Sequence, residues 1–101
     1  LVFTELVKRG VKPNRELFYY KTRNDREVDF VLKKGTEVTE LVQVCYEAIT
    51  SDVEQRETKA LLEASGELKV EKLTILTWDE KREIKKDDKM IQLIPLWEWL
   101  N

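Results

Sequence analysis

Two stretches of polar/apolar alternation constrain this chain more than anything else in it. They are Glu27-Val28-Asp29-Phe30-Val31-Leu32 and Leu41-Val42-Gln43-Val44-Cys45-Tyr46-Glu47. A strand sends successive side chains to opposite faces, so a period of two predicts a strand with one polar face. The first stretch places Asp29 on that face; the second places Gln43, Cys45 and Glu47 there.

The segments around them extend the pattern. Val2, Phe3, Leu6 and Val7 fall at helical spacing, and Gly10 with Pro13-Asn14 stops that helix. Leu17 to Thr22 is aromatic-rich and strand-like; with Glu27–Lys33 and Val38–Tyr46 it predicts a three-stranded meander. Ser51, with Glu54 three residues on, has the form of a capping box that opens a helix. Val53, Ala60, Leu61 and Ala64 form its apolar face, and Gly66 is its expected C-cap. Leu73–Trp78 reads as a strand parallel to the third through a crossover. Asp79–Lys89 is a charged loop or hairpin arm, Met90–Ile94 a last strand closed by Pro95, and Leu96–Leu100 a short helical tail. The expected class is α/β, a mixed central sheet flanked by helices.

At 101 residues the chain makes one domain, spanning residues 1–101. Its 42% apolar content is enough for a core and argues against disorder. The charge is unevenly placed. Residues 1–36 carry nine Lys/Arg against five Asp/Glu, a net +4; the remainder carries nine against fifteen, a net −6. The basic third includes Lys8, Arg9, Lys12, Arg15, Lys21, Arg23 and Arg26, either a phosphate-facing surface or ordinary solvated charge. One cysteine rules out an internal disulfide and fits a reducing cytoplasm. No apolar run approaches the ~20 residues of a membrane span. A start at Leu1, within the expected first helix, implies a piece of a longer polypeptide.

Several chemistries are excluded. Three glycines, Gly10, Gly35 and Gly66, form neither nucleotide-binding glycine motif. With no histidine there is no zinc cluster and no Cys–His nucleophile.

In order and spacing, the chain resembles the PD-(D/E)XK nuclease fold, with a restriction-endonuclease-like core. The resemblance is closer to the C-terminal domain that follows the ATPase module in many prokaryotic AAA-type ATPases. The pieces that carry it are Leu1-Val2-Phe3-Thr4-Glu5-Leu6 with Arg9-Gly10, Leu17–Thr22, Glu27–Val31, Val42–Glu47, Leu73–Trp78 and Ile94–Leu100. It implies a divalent metal, Mg²⁺, held by a helix glutamate, a strand aspartate and the glutamate of Glu-x-Lys, with the lysine serving the attacking water. By position these fall on Glu5, Asp29, Gln43 and Cys45. Glu5 and Asp29 match the pattern in residue type; Gln43 and Cys45 do not.

That departure has direct consequences. Mg²⁺ favours carboxylate and water oxygens, and Gln43 offers only a neutral carbonyl. A thiol at position 45 supplies no ammonium for the transferring phosphoryl, a loss of the kind that costs ~10²–10³ in rate. Lys33, on the expected face of Asp29, is the preferred substitute lysine, with Lys8 and Lys21 as others.

Each position also has a plainer reading. Asp29 could be an acid satisfied by Arg23, Arg26 or a neighbouring amide, Glu5 a helix partner of Arg9, and Cys45 a small buried hydrophobe. Trp97 and Trp99 serve either core packing or docking. The expected function is a catalytically reduced accessory domain of an AAA-type ATPase, with that ATPase domain as partner and DNA contact as a further role. The competing expectation is a Mg²⁺-dependent deoxyribonuclease; a structural module is the third. Any ATPase activity would lie in a part preceding this chain.

Overall fold

The computed structural model describes residues 17–45 and 49–99. The expected first helix, the Pro13-Asn14 break, Glu5, Lys8, Arg9, Lys12, Arg15, Tyr46, Glu47 and Leu100 lie outside those residues. Among the described residues six strands form one mixed sheet: β1 (Leu17–Lys21), β2 (Glu27–Lys34), β3 (Glu37–Val44), β4 (Leu73–Thr77), β5 (Arg82–Lys86) and β6 (Lys89–Pro95). Helix α1 (Ser51–Leu68) joins β3 to β4, and α2 (Leu96–Trp99) follows β6. The strand order is β1-β2-β3-β4-β6-β5. β1, β2 and β3 are the expected antiparallel meander, and β4 lies parallel to β3 through the helical crossover.

Local chemistry fixes the turns. The β1–β2 turn closes on Thr22, whose N–H donates to the Arg26 carbonyl at 2.8 Å and whose Oγ1 accepts from the Arg26 N–H at 3.0 Å. Gly35 takes φ +66° in the two-residue loop between Lys34 and Glu37. Asp87 and Asp88, at φ 52° and 64°, both adopt the left-handed conformation between paired Lys86 and Lys89. A two-residue hairpin loop with positive φ at both positions matches the twist of its strands. The charged segment after β4 is therefore a hairpin arm, β5. Four of its five residues are charged, as suits a sheet edge that must not pair with another chain.

The ends of α1 differ from the sequence reading. The N-cap is Thr50, not Ser51; its side chain accepts from the Val53 N–H at 3.3 Å. Both residue types cap well, so the choice between neighbours is not written in their identities. At the far end Gly66 is interior to the helix, which runs on to Leu68. Leu68 packs against the core and Val70 is buried, so burial carries the helix past its glycine. Lys69 takes the left-handed cap at φ 60°, its N–H donating to the Ser65 carbonyl at 2.8 Å.

The main core lies between the sheet and α1. Val28, Val31, Leu41, Leu73, Ile75, Ile91 and Leu93 meet Val53, Leu61 and Ala64 there. A smaller cluster on the opposite face holds Val42, Leu76 and Leu96, with Phe30, Leu32, Val44, Ile94 and Trp99 partly buried against it. All five residues of β4 are buried, as expected for a central parallel strand covered on both faces.

Candidate functional site

The site begins with an irregularity in β2. Phe18 pairs with Val31 and Tyr20 with Val28, so Asp29 and Phe30 of β2 together face the single residue Tyr19 of β1. This is a β-bulge at Asp29-Phe30. It breaks the alternation: Val28 and Val31 both enter the core beneath α1, while Phe30 and Leu32 join the opposite cluster.

Three hydrogen bonds bridge the bulge to β3. The Asp29 N–H donates to Gln43 Oε1 at 2.8 Å, and Gln43 Nε2 donates to the Glu27 carbonyl at 2.8 Å. In return, Asp29 Oδ2 accepts the Val44 N–H at 2.8 Å. Gln43 is only 2% exposed, so its polar atoms need these partners. Burial raises the Asp29 carboxyl above its ordinary pKa, the Val44 N–H draws it back, and the nearby Glu27 charge adds to the rise.

Cys45 follows β3 and is buried in the core cluster under α1. Its backbone N–H donates to the Leu76 carbonyl at 2.9 Å, continuing the parallel pairing of β3 with β4. The side chain is thus a buried member of the core cluster, and a cysteine so packed behaves as a small hydrophobe.

Asp29, Gln43 and Cys45 share one open cavity of about 880 Å³ beside α1. The helix contributes Gln55, Arg56, Glu57 and Lys59 to its wall. These were not singled out in the sequence, because charge on a helix's polar face looks the same whether or not a cavity lies beneath it. Lys33 is placed elsewhere. It pairs with Val38 beyond a second register shift and is not part of the cavity wall. Four residues along a strand is roughly 13 Å, so β2 does not bring Lys33 beside Asp29.

The β1–β2 turn beside the cavity is tied to acids of α1. Arg26 pairs with Glu63 at 3.2 Å, and Asn24 Nδ2 donates to the same carboxylate at 2.8 Å. The Arg23 N–H and the Tyr20 hydroxyl donate to Glu67. Hydrogen bonds from Thr22 and Asn24, with the Arg26 charge, hold the Glu63 carboxyl below its ordinary pKa. Neither Arg23 nor Arg26 is bonded to Asp29 in the described contacts; the neighbouring amide of Val44 takes that place.

The metal implied by the resemblance can be tested against these donors. A hard divalent cation needs several oxygen ligands, preferably charged. Asp29 supplies one carboxylate, half-committed to Val44, and the Gln43 oxygen is engaged by the β2 backbone. Among the described residues no group of three His, Cys, Asp or Glu side chains is placed to hold a metal ion. As placed, the described members of the set do not fit the ion.

Fold and site together define an α/β domain with a six-stranded mixed sheet and a polar cavity at a bridged bulge. The chain belongs to the family described as "Domain of unknown function (DUF4143)", which matches residues 1–99. It is 41% identical over 105 aligned residues to the uncharacterized protein MJ1544 of Methanocaldococcus jannaschii, an alignment covering 98% of this chain and 23% of that protein. The chain thus spans less than a quarter of the length of that relative. No solved structure matches it. Among the described residues no helix is long and apolar enough to cross a membrane.

Proposed function

We propose that this chain is a nuclease-like domain that has lost its metal chemistry and serves as an accessory, interaction domain of an AAA-type ATPase in the cytoplasm. One observation carries the loss of chemistry: the side chain at the Glu position of Glu-x-Lys is a carboxamide whose donor and acceptor are both bonded to the β2 backbone. The buried thiol at the Lys position points the same way. A restriction-endonuclease-like core is supported by the meander, the crossover helix and the parallel strand that follows it.

The ATPase as partner rests on the resemblance and on a relative more than four times the length of the matched region. Trp97, 63% exposed on α2, offers an apolar contact for such a partner, while Trp99 packs against the smaller core cluster. DNA contact is secondary in this reading, since Arg26 and Lys21 already face Glu63 and Asp25.

The test is a cleavage assay on circular and linear DNA with Mg²⁺ or Mn²⁺. No cleavage is expected. Metal-dependent cleavage abolished by Asp29→Asn would overturn the proposal and establish the deoxyribonuclease.

A further inference from the structure

The β2–β3 ladder reaches only to Phe30–Val42, and beyond it the facing backbone groups need other partners. Past that pair, beside the bulge that β2 makes against β1, these groups include the Asp29 N–H, the Glu27 carbonyl and, across on β3, the Val44 N–H. Side chains meet all three, each at 2.8 Å. Gln43 serves two, one as acceptor and one as donor, as a peptide unit would. A carboxamide carries that donor and acceptor together; an ionised carboxylate carries acceptors only, and a thioether is at best a weak acceptor.

The identity of residue 43 therefore decides whether the two strands can be joined at this point. Resting on the reading of a domain without metal chemistry, we infer that Gln43 is the register lock of the β2–β3 pair, its neutral carboxamide standing in for a peptide unit and making the sheet independent of any divalent cation. A glutamate there would lose the donor to the Glu27 carbonyl and bring a second carboxylate to Asp29, a clash of like charge that a bound cation relieves. Register matters here because a slip of one residue would carry Val28 and Val31 out of the core.

The test is thermal unfolding of the wild type, Gln43→Glu and Gln43→Met, each in chelator and in Mn²⁺. The wild type should melt at the same temperature in both. Gln43→Glu should melt about 10 °C lower in chelator and regain part of that loss in Mn²⁺; Gln43→Met should lose a similar amount and regain none. A Gln43→Met melting point equal to wild type would overturn the lock, and no recovery of Gln43→Glu in Mn²⁺ would overturn the role given to neutrality. Stabilisation of the wild type by Mn²⁺ would instead sink the proposed function, with the lock still judged from Gln43→Met in chelator. Should the variants fail to fold, amide hydrogen exchange in the wild type decides. Protection of the Asp29 and Val44 amides equal to their strand neighbours supports the lock; exchange at loop rates overturns it.

Discussion

Asp29 is held between two opposed demands. Its Oδ2 must accept the Val44 N–H, yet burial disfavours the charge that makes it a good acceptor. Asparagine keeps an acceptor without the charge. Asp29→Asn should therefore stay within about 1 kcal/mol of wild type at pH 7, whereas Asp29→Ala, which orphans the amide, should cost about 1–3 kcal/mol in urea unfolding. The pH dependence follows from the raised pKa: the folded state holds the Asp29 proton more tightly than the unfolded state, whose value is near 3.8. Stability from this group is thus present below 3.8 and is lost as pH rises through the folded value; Asp29→Asn should flatten that part of the profile. Glu63 has the opposite sign. Its lowered pKa means its contribution is present above 4.5 and fades as pH falls, and Glu63→Gln should remove it.

At the scale of elements, helix α1 offers the cleanest tests. Gly66 sits within the helix, exposed, and an added Cβ would meet nothing within 4 Å. Gly66→Ala should stabilise by about 1 kcal/mol, a melting rise of several degrees in calorimetry. Thr50→Ala should cost about 1 kcal/mol through loss of the N-cap, and the same change at Ser51 distinctly less. These positions also show what the sequence could and could not say. The helix, the meander and the crossover were legible, because periodicity records which residues are apolar. The helix ends were not: Gly66 reads as a stop, and only the burial of Val70 shows why the chain continues. The bulge was hidden for a related reason. Alternation counts residues along one strand, whereas a bulge is a mismatch between two, and nothing in Glu27–Leu32 reveals that two residues there face one.

Across the whole molecule, the two tail indoles divide the labour that the sequence left undecided. Trp97→Ala should leave stability within about 0.5 kcal/mol of wild type, as for an exposed side chain away from any network. Trp99→Ala should cost about 2–4 kcal/mol, since its ring packs against the smaller core cluster. Of the candidate site, the aspartate, glutamine and cysteine positions were legible as a group, and they do line one cavity. Their bonding was not legible, because a strand glutamine can face a ligand or a backbone, and composition carries no information on which. Parity alone groups Lys33 with them, and the register shifts along β2 make parity an unreliable guide.

Mn²⁺ titration followed by amide NMR reads that bonding at the groups that make it, since the paramagnetic ion broadens resonances near where it binds. No selective, saturable loss of the Asp29, Gln43 and Val44 amides is expected. Selective loss of those resonances, abolished by Asp29→Asn, would contradict it by showing a cation seated in place of the hydrogen-bonded clamp.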